Sequence, residues 1–308
     1  MSLPALNALR RSESAHIHLL SRVDLSGVPA AAAQVDEISL CGGVLYAGLF
    51  VDVIQMPPQL KEFLGGFDKA FIFMSSPDPV FAANITAHIP ETVFIRPVPD
   101  NGMRTHVSLF QLQQIPAHAD YGKIQMTALL CSIPRPLSGD REIIALHPGS
   151  GGRKKCWPLD NYLKLMERLA SQKNRDIKIL LGPDEDGQAY KIISLFIAEK
   201  KLNAVVVRDR PLGEIASLLS SASLYIGNDS GISHLASVCG VAEVVIFGPT
   251  DHEIWKPLGR NVTLVRADIS CSPCGRPAYL DCADPVCLAG IPVEEVCDIS
   301  ESLLHAVR

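Results

Sequence analysis

The sequence predicts an α/β protein in which helices flank a parallel sheet, and two observations support this fold class. Between residues 143 and 265, short apolar runs alternate with segments of helical periodicity. Two glycine-bearing turns, at residues 147–152 and 227–231, each follow an apolar run. Strand–helix alternation is typical of parallel sheets, whose ligands bind at the carboxyl ends of the strands. We therefore expect both turns at a ligand-binding edge.

The elements of the second half follow from apolar spacing and turn residues. The predicted strands are residues 143–146, 178–181, 204–207, 224–227, 244–248 and 263–265. The predicted helices are residues 158–172, 188–200, 212–219 and 232–239. Pro158 fits the first of these helices because proline is tolerated in a first helical turn.

The first half is less regular. Residues 16–20, 43–50 and 70–74 have strand-like composition, and residues 107–115 have helical spacing. Two prolines, a glycine and charged residues at 133–141 predict a linker. We expect an N-terminal α/β domain of residues 1–138 and a C-terminal Rossmann-like domain of residues 139–308.

Composition excludes several classes of function. A chain of 308 residues with 47% hydrophobic content can bury the cores of two domains. A net charge of −5 and a pI near 6.0 provide no basic surface for nucleic acid. No apolar run reaches membrane-spanning length, and the first residues do not resemble an export signal. A cytoplasmic protein is expected.

Nine cysteines raise the question of a metal site. Without an export signal, a disulfide framework is not expected. Cys271, Cys274, Cys282 and Cys287 have a spacing that could supply four thiolates to zinc. The alternative is a group of reduced thiols, and spacing alone leaves both open.

The turn at residues 227–231 is the strongest candidate for a binding site. A helix that begins at Ser230 and Gly231 would direct free N–H groups and a positive dipole end at a ligand. Gly231 lets the backbone approach that ligand closely, and Asp229 can accept hydrogen bonds from sugar hydroxyls. These properties suit a sugar attached to a diphosphate. The alternative is simply a capped helix, because Asn, Asp and Ser are favoured caps.

Further candidates follow the other strands. Lys155 could reach a phosphate, or it could be part of a solvated basic turn. Asp184 and Glu185 could hold a ribose hydroxyl, or they could only complement a helix dipole. His234 could face the site or be a packed bystander. Thr250 could form another wall of the site or belong to a plain turn. The sequence contains neither G-x-x-x-x-G-K-[ST] nor G-x-G-x-x-G.

In combination, these motifs resemble a known family. They are, in chain order, His147-Pro148-Gly149-Ser150, Lys155-x-Trp157-Pro158, Gly182-Pro183, Asn228-Asp229-Ser230-Gly231 with His234-Leu235-Ala236, Phe247-Gly248-Pro249-Thr250-Asp251 and Cys271-Ser272-Pro273-Cys274. The second half resembles the bacterial ADP-heptose:lipopolysaccharide heptosyltransferases. The resemblance covers most of residues 141–308.

The resemblance implies a GT-B fold, in which two Rossmann-like domains face a cleft and the donor binds to the C-terminal domain. It implies an inverting, metal-independent transfer of heptose from ADP-heptose or a related nucleotide sugar to the lipopolysaccharide inner core. No cofactor or nucleic acid is expected. Peripheral contact with the cytoplasmic face of the inner membrane is left open, because no strongly basic amphipathic helix indicates it. The alternatives are a non-catalytic sugar-nucleotide-binding protein and, less favoured, a sugar-nucleotide epimerase.

The resemblance also implies roles for individual residues. Lys155 would neutralise the diphosphate, and Ser230 and Gly231 would donate backbone hydrogen bonds to it. Asp229 would hold sugar hydroxyls, and Asp184 or Glu185 would bind the ribose. The expected nucleotide-sugar site comprises Ser150, Lys155, Asp184, Glu185, Asp229, Ser230, Gly231, His234 and Thr250. The cysteines recur in the family without an established metal role, so no metal is expected.

The N-terminal domain departs from the family pattern. Residues 3–10 look like the leucine-proline helix that follows the first strand in family members, and this helix begins almost at Met1. The central first strand and the aspartate expected to act as general base would therefore lie upstream. Asp24 and Asp52 do not stand in the matching context. The N-terminal domain is expected to be incomplete or divergent, and no catalytic residue is assigned.

Overall fold

The computed structural model describes residues 2–12, 14–100, 102–115, 141–182, 187–274 and 281–307. These residues form two compact units. The first unit comprises the described residues up to 115 except 27–30. The second comprises 27–30 and the described residues from 141 onwards. The predicted domain boundary at 138/139 and most of the predicted linker lie outside the described residues, so the boundary stays a prediction.

Short elements build the first half. They are α1 (Leu3–Ser12), β1 (His18–Ser21), α2 (Pro29–Ala32), β2 (Glu37–Leu40), α3 (Val44–Ala47), a 3-10 turn (Gly48–Phe50), α4 (Pro58–Gly65), β3 (Lys69–Phe73), α5 (Pro79–His88), β4 (Glu91–Ile95) and α6 (Val107–Leu112). Strands β1 and β2 form one parallel pair, and β3 and β4 form another. Among the described residues of this half, the strands form these two separate two-stranded sheets.

Helices α1 and α6 pack through their apolar faces. Ala5 and Leu9 of α1 are buried in one cluster with Ile95 of β4 and Leu112 of α6. Helix α1 confirms the helix predicted at residues 3–10, and α6 confirms the one predicted at 107–115. Strands β1 and β3 confirm the predicted strands at 16–20 and 70–74.

The strand predicted at residues 43–50 is wrong, because this segment forms α3 and the 3-10 turn. Gly43 has a left-handed φ of 84°, and its carbonyl accepts a hydrogen bond from the Ala47 amide, so the chain turns there. Asn84 then donates to the carbonyls of Leu49 and Val51 at 3.0 and 2.8 Å, which fixes the end of the segment. A short apolar run is compatible with either helix or strand, and tertiary contacts decide between them.

The second half forms the larger sheet. Its elements are β5 (Glu142–His147), a 3-10 turn (Arg153–Lys155), α7 (Leu159–Ala170), β6 (Arg175–Leu181), α8 (Gly187–Lys200), β7 (Ala204–Arg208), α9 (Leu212–Ser221), β8 (Leu224–Asn228), α10 (Gly231–Cys239), β9 (Ala242–Phe247), α11 (His252–Trp255), β10 (Val262–Arg266), α12 (Val286–Ala289) and α13 (Val293–Val307). These elements confirm every strand and helix predicted in this half. None of the helices in the described ranges is both long enough and apolar enough to cross a membrane.

The strand order brings the two glycine-bearing turns together. The six parallel strands are ordered β10-β9-β8-β5-β6-β7, which confirms the predicted parallel α/β sheet. Strands β5 and β8 are neighbours, and His147 at the end of β5 is in register with Gly227 of β8. Buried Ile144, Leu146 and Ile226 fix this pairing in the core. The turns after β5 and β8 therefore leave the same edge of the sheet side by side.

A buried carboxyl group stands in this core. Glu243 of β9 is fully buried, and neither carboxyl oxygen has a hydrogen-bond partner among the described residues. Burial raises the pKa of Glu243 well above its ordinary value, and the nearby Ser237 hydroxyl offsets this only in part. The folded protein therefore holds a proton on Glu243 at pH values where the unfolded chain has released it.

Replacing Glu243 with glutamine is expected to flatten the alkaline side of the stability profile. Above pH 4.5, folding of the wild type requires proton uptake by Glu243, so stability falls as pH rises, by at most about 1.4 kcal/mol per pH unit. Glu243→Gln keeps the size of the side chain and replaces the ionisable carboxyl with an amide that does not titrate. Between pH 5 and pH 8, the free energy of unfolding measured with urea should fall less in the variant than in the wild type. If the free energy of unfolding fell equally steeply with pH in both proteins, Glu243 would not be buried as a neutral carboxyl.

Candidate functional site

The centre of the candidate site is the junction between β8 and α10. Ser230 is the N-cap of α10, with an extended backbone, and its Oγ accepts from the Ser233 amide at 3.4 Å. This confirms the predicted helix start. The first N–H groups of a helix lack intrahelical partners, and here they belong to Gly231 and Ile232. Gly231 is exposed, and nothing lies within 4 Å of the point where a β-carbon would be. The amino-terminal end of α10 is thus open to a ligand.

Three side chains converge on Asp229, between β8 and the Ser230 cap. Ser150 Oγ donates to the Asp229 carbonyl at 2.7 Å. Lys155 Nζ lies 3.2 Å from that carbonyl and 3.3 Å from Asp229 Oδ2. Thr250 Oγ1 donates to the same Oδ2 at 2.9 Å. The structure therefore brings together Ser150, Lys155, Asp229 and Thr250, all from the predicted set, beside the open end of α10.

The charges of this group suit an anion that carries a sugar. The side chain of Lys155 is 20% exposed and that of Asp229 is 9% exposed, so the ammonium is the more accessible of the two. An ammonium group has three donors, and the described contacts with Asp229 involve two acceptors. The helix end adds a partial positive charge that favours phosphate. The paired Asp229 fixes the position of the lysine.

A buried polar network lies beneath the helix end. The Ser230 hydroxyl is 3.3 Å from His147 Nδ1 and 3.3 Å from Ser233 Oγ. The Tyr225 hydroxyl is 3.1 Å from Ser233 Oγ and 3.5 Å from His147 Nδ1. All four side chains are buried. The Ser230 hydroxyl faces this network, so its backbone N–H is the group it can offer to a ligand.

His147 makes this network sensitive to acid. Burial lowers its pKa from 6.5 to about 4, so the imidazole is neutral in the folded protein at neutral pH. Between these values the unfolded state binds more protons, so stability falls as pH drops from 6.5 towards 4, by about 3 kcal/mol in total. Urea midpoints across this range should drop less steeply in His147→Gln than in the wild type. Parallel curves would show that His147 is not buried in its neutral form.

The segment that carries Lys155 is anchored on both sides. Trp157 is buried, its Nε1 donates to the Ile291 carbonyl at 3.1 Å, and its ring packs edge-on against Tyr162. Lys154 Nζ donates to the Cys282 carbonyl at 2.8 Å. The contacts of Lys154 and Trp157 thus anchor the loop on either side of Lys155.

The remaining predicted binding residues are His234, Asp184 and Glu185. His234 is half-buried one turn into α10, and none of the bonds that join Ser150, Lys155 and Thr250 to Asp229 involves it. Asp184 and Glu185 are outside the described residues, so their roles stay predictions.

The expectation that the four C-terminal cysteines hold no metal also stays a prediction. In the described ranges, which include Cys271, Cys274, Cys282 and Cys287, no three His, Cys, Asp or Glu residues are grouped so that they could hold a metal ion. These four cysteines are not in disulfides.

Several residues of the site were not predicted as part of it. His147, Tyr225 and Ser233 form the network under the cap, and Asn228 contacts the Lys155 loop. His147 and Asn228 belong to the quoted motifs, so their positions at strand ends were visible. Their contacts were not, because the partners are 71 to 83 residues apart in the chain.

A family model matches more than half of the chain. Residues 102–280 match the model described as glycosyltransferase family 9 (heptosyltransferase). The chain belongs to glycosyltransferase family 9. This confirms the resemblance read from the motifs, and the matched residues include Ser150, Lys155, Asp229 and Thr250.

Curated relatives have low sequence identity. The chain is 28% identical to lipopolysaccharide heptosyltransferase 3 of Escherichia coli over 120 residues, which are 39% of this chain and 34% of that protein. It is 26% identical to lipooligosaccharide heptosyltransferase 2 of Campylobacter jejuni over 225 residues, 70% of this chain and 68% of that protein. The chain thus matches about a third of the length of the Escherichia coli relative.

Solved structures match along nearly the whole chain. A family 9 glycosyltransferase from Veillonella parvula superimposes with a TM-score of 0.71 at 16% identity, covering 99% of this chain and 93% of that one. The ADP-heptose lipopolysaccharide heptosyltransferase II of Escherichia coli does so with a TM-score of 0.68 at 18% identity, covering 99% and 94%. These matches show the fold and confirm the GT-B prediction.

Proposed function

We propose that this protein transfers a heptose from ADP-heptose to a sugar of the lipopolysaccharide inner core, with inversion and without a metal ion, at the cytoplasmic face of the inner membrane. The observation that supports this most strongly is Lys155, held by Asp229 beside the open amino-terminal end of α10. The heptosyltransferase names of the relatives support the choice of sugar and acceptor.

The proposed reaction needs negative charge to be stabilised on the leaving group. A hydroxyl oxygen of the acceptor bonds to the anomeric carbon while the bond from that carbon to the diphosphate oxygen breaks. ADP leaves with the electron pair, and the hydroxyl proton passes to a base or to water. Because the diphosphate gains charge as the bond breaks, fixed N–H donors and the Lys155 ammonium stabilise the transition state more than the ground state.

Each predicted residue has a place in this proposal. Gly231 and Ser230 donate backbone N–H groups to the diphosphate, and Lys155 neutralises it. Asp229 fixes Lys155 through Oδ2, and its other carboxylate oxygen accepts from a sugar hydroxyl. Ser150 and Thr250 orient Asp229. The ribose is assigned to Asp184 or Glu185, and the sugar side of the site to His234.

The test is turnover of ADP-heptose with a heptose-free core acceptor. Formation of ADP and heptosylated acceptor, with insensitivity to a metal chelator, is the expected result. Consumption of another sugar nucleotide in preference to ADP-heptose would contradict the assigned donor. A chelator that abolishes the reaction would contradict the metal-independent mechanism.

A second candidate function is sugar-nucleotide binding without catalysis. The two aspartates considered for general base are engaged in local turns: Asp24 accepts from the Ser26 amide and hydroxyl at 2.9 and 2.6 Å, and Asp52 accepts from the Ile54 amide at 2.9 Å. A missing general base typically costs about 10²- to 10⁴-fold in rate. This candidate predicts ADP-heptose binding by calorimetry and no transfer to any acceptor.

A further inference from the structure

Asn228 joins the two glycine-bearing turns through one side chain. It is the last residue of β8 and is fully buried. Its Nδ2 donates to the carbonyls of Pro148 and Gly149 at 2.8 and 3.1 Å. Its Oδ1 accepts from the Trp157 amide at 2.9 Å. One amide group thus makes three hydrogen bonds to the backbone of the loop between β5 and α7.

These bonds lie on both sides of Lys155. Pro148 and Gly149 begin the loop, Trp157 ends it, and Asp229, the partner of Lys155, is the next residue after Asn228. The distance between the loop and the end of α10 therefore depends directly on Asn228. We propose that Asn228 is a positioning residue, which holds the Lys155 ammonium beside the α10 amides so that both reach one diphosphate. The identity of the ligand as a diphosphate rests on the proposed function, whereas the positioning of Lys155 by Asn228 does not.

The chemistry of the amide suits this task. A neutral side chain of this length that donates twice and accepts once can only be that of asparagine. Aspartate has the same shape but lacks both donors, and its charge would face the carbonyls of Pro148 and Gly149. Asn228→Ala removes all three bonds and is the informative change. Asn228→Ser, which leaves a smaller cavity, is the second variant if the alanine form does not fold.

The chain offers a matched control in Asn84. This residue is also buried, 2% exposed, and its Nδ2 donates to the carbonyls of Leu49 and Val51 at 3.0 and 2.8 Å. It belongs to the first unit. Asn84→Ala therefore removes buried bonds of the same kind without touching the Lys155 loop. A general loss of packing would affect both variants, whereas a positioning role affects only Asn228.

The first experiment measures the position of Lys155 without a ligand. Amine acylation followed by peptide mass spectrometry gives the labelling rate of Lys155, normalised to the exposed Lys164 of α7. Asn228→Ala is expected to raise the normalised rate about tenfold, the effect expected if the released loop lets the Lys155 ammonium lose one hydrogen bond to Asp229. Asn84→Ala should leave it unchanged. An unchanged rate in Asn228→Ala, or an equal rise in both variants, overturns the proposal.

The second experiment asks whether Asn228 acts through Lys155. In calorimetric titrations with ADP, Asn228→Ala should weaken binding about tenfold in the wild-type background and hardly at all in Lys155→Ala. Independent, additive losses would overturn the positioning role. If the wild type does not bind ADP, the proposed function fails, while the labelling experiment still decides what Asn228 does.

Discussion

Lys155→Ala is expected to weaken ADP binding about 10- to 100-fold without loss of the fold. A hydrogen bond to a charged group contributes about 1.5–3 kcal/mol, which corresponds to this range. The variant also leaves the Asp229 carboxylate without its ammonium partner, so the site would present a negative charge to the diphosphate. Calorimetric titration with ADP measures the effect. Transfer from ADP-heptose, if the wild type shows it, should fall by at least the same factor.

Lys164→Ala is the matched control, because Lys164 is an exposed lysine of the same unit. Its removal should leave ADP affinity within twofold of the wild type, since surface charges away from a site have little effect at physiological salt. If Lys155→Ala and Lys164→Ala bound ADP with equal affinity, Lys155 would not be part of the ADP-binding site.

Gly231→Asp is expected to weaken ADP binding without lowering the stability of the fold. Nothing stands near the point where a β-carbon would be, so a side chain fits. A carboxylate in the first helical turn stabilises the helix by about 0.3–1 kcal/mol, because it complements the dipole. The same carboxylate occupies the place proposed for the diphosphate and repels it. We expect ADP affinity to fall about 100-fold or more while the urea midpoint stays equal or rises.

Gly231→Ala isolates the effect of charge in this experiment. It adds one methyl group in the same open space and removes the flexibility of glycine, so its urea midpoint should also stay equal or rise. Its loss of ADP affinity should be much smaller than that of Gly231→Asp. Unchanged ADP binding in Gly231→Asp would mean that the end of α10 does not bind the diphosphate.

The sheet of the second half could be predicted because inner strands such as β8 and β9 are buried on both sides. Strands such as β8 and β9 read as continuous apolar runs between turn residues, and their regular alternation with helical segments identifies them as strands. The first half offered shorter and more ambiguous runs. Residues 43–50 are apolar enough for a strand, but Gly43 and the side chain of Asn84 bend them into a helix and a turn. Strands β2 and β4 were missed there, because each is short and carries polar residues.

From the residues alone, the site could be predicted only one turn at a time, and it was the family resemblance that grouped the turns into one expected site. Asp229, Ser230 and Gly231 are adjacent in sequence, so the open helix end followed from their order. The contacts of Lys155 and Ser150 with Asp229 depend on β5 lying beside β8, which the sequence alone does not establish. The same holds for His147 and Asn228, whose hydrogen bonds cross between these two strands. Adjacency in the sheet is what turns separate motifs into one site.

The most direct test of the anion site is the chemical shift of the Gly231 backbone amide during titration. If α10 and Lys155 bind the diphosphate, ADP should move the Gly231 and Ser230 resonances with one shared saturation curve. Adenosine at the same concentration should leave them in place. Saturable ADP binding that leaves both amides unshifted would contradict the central claim, because the diphosphate would then lie elsewhere.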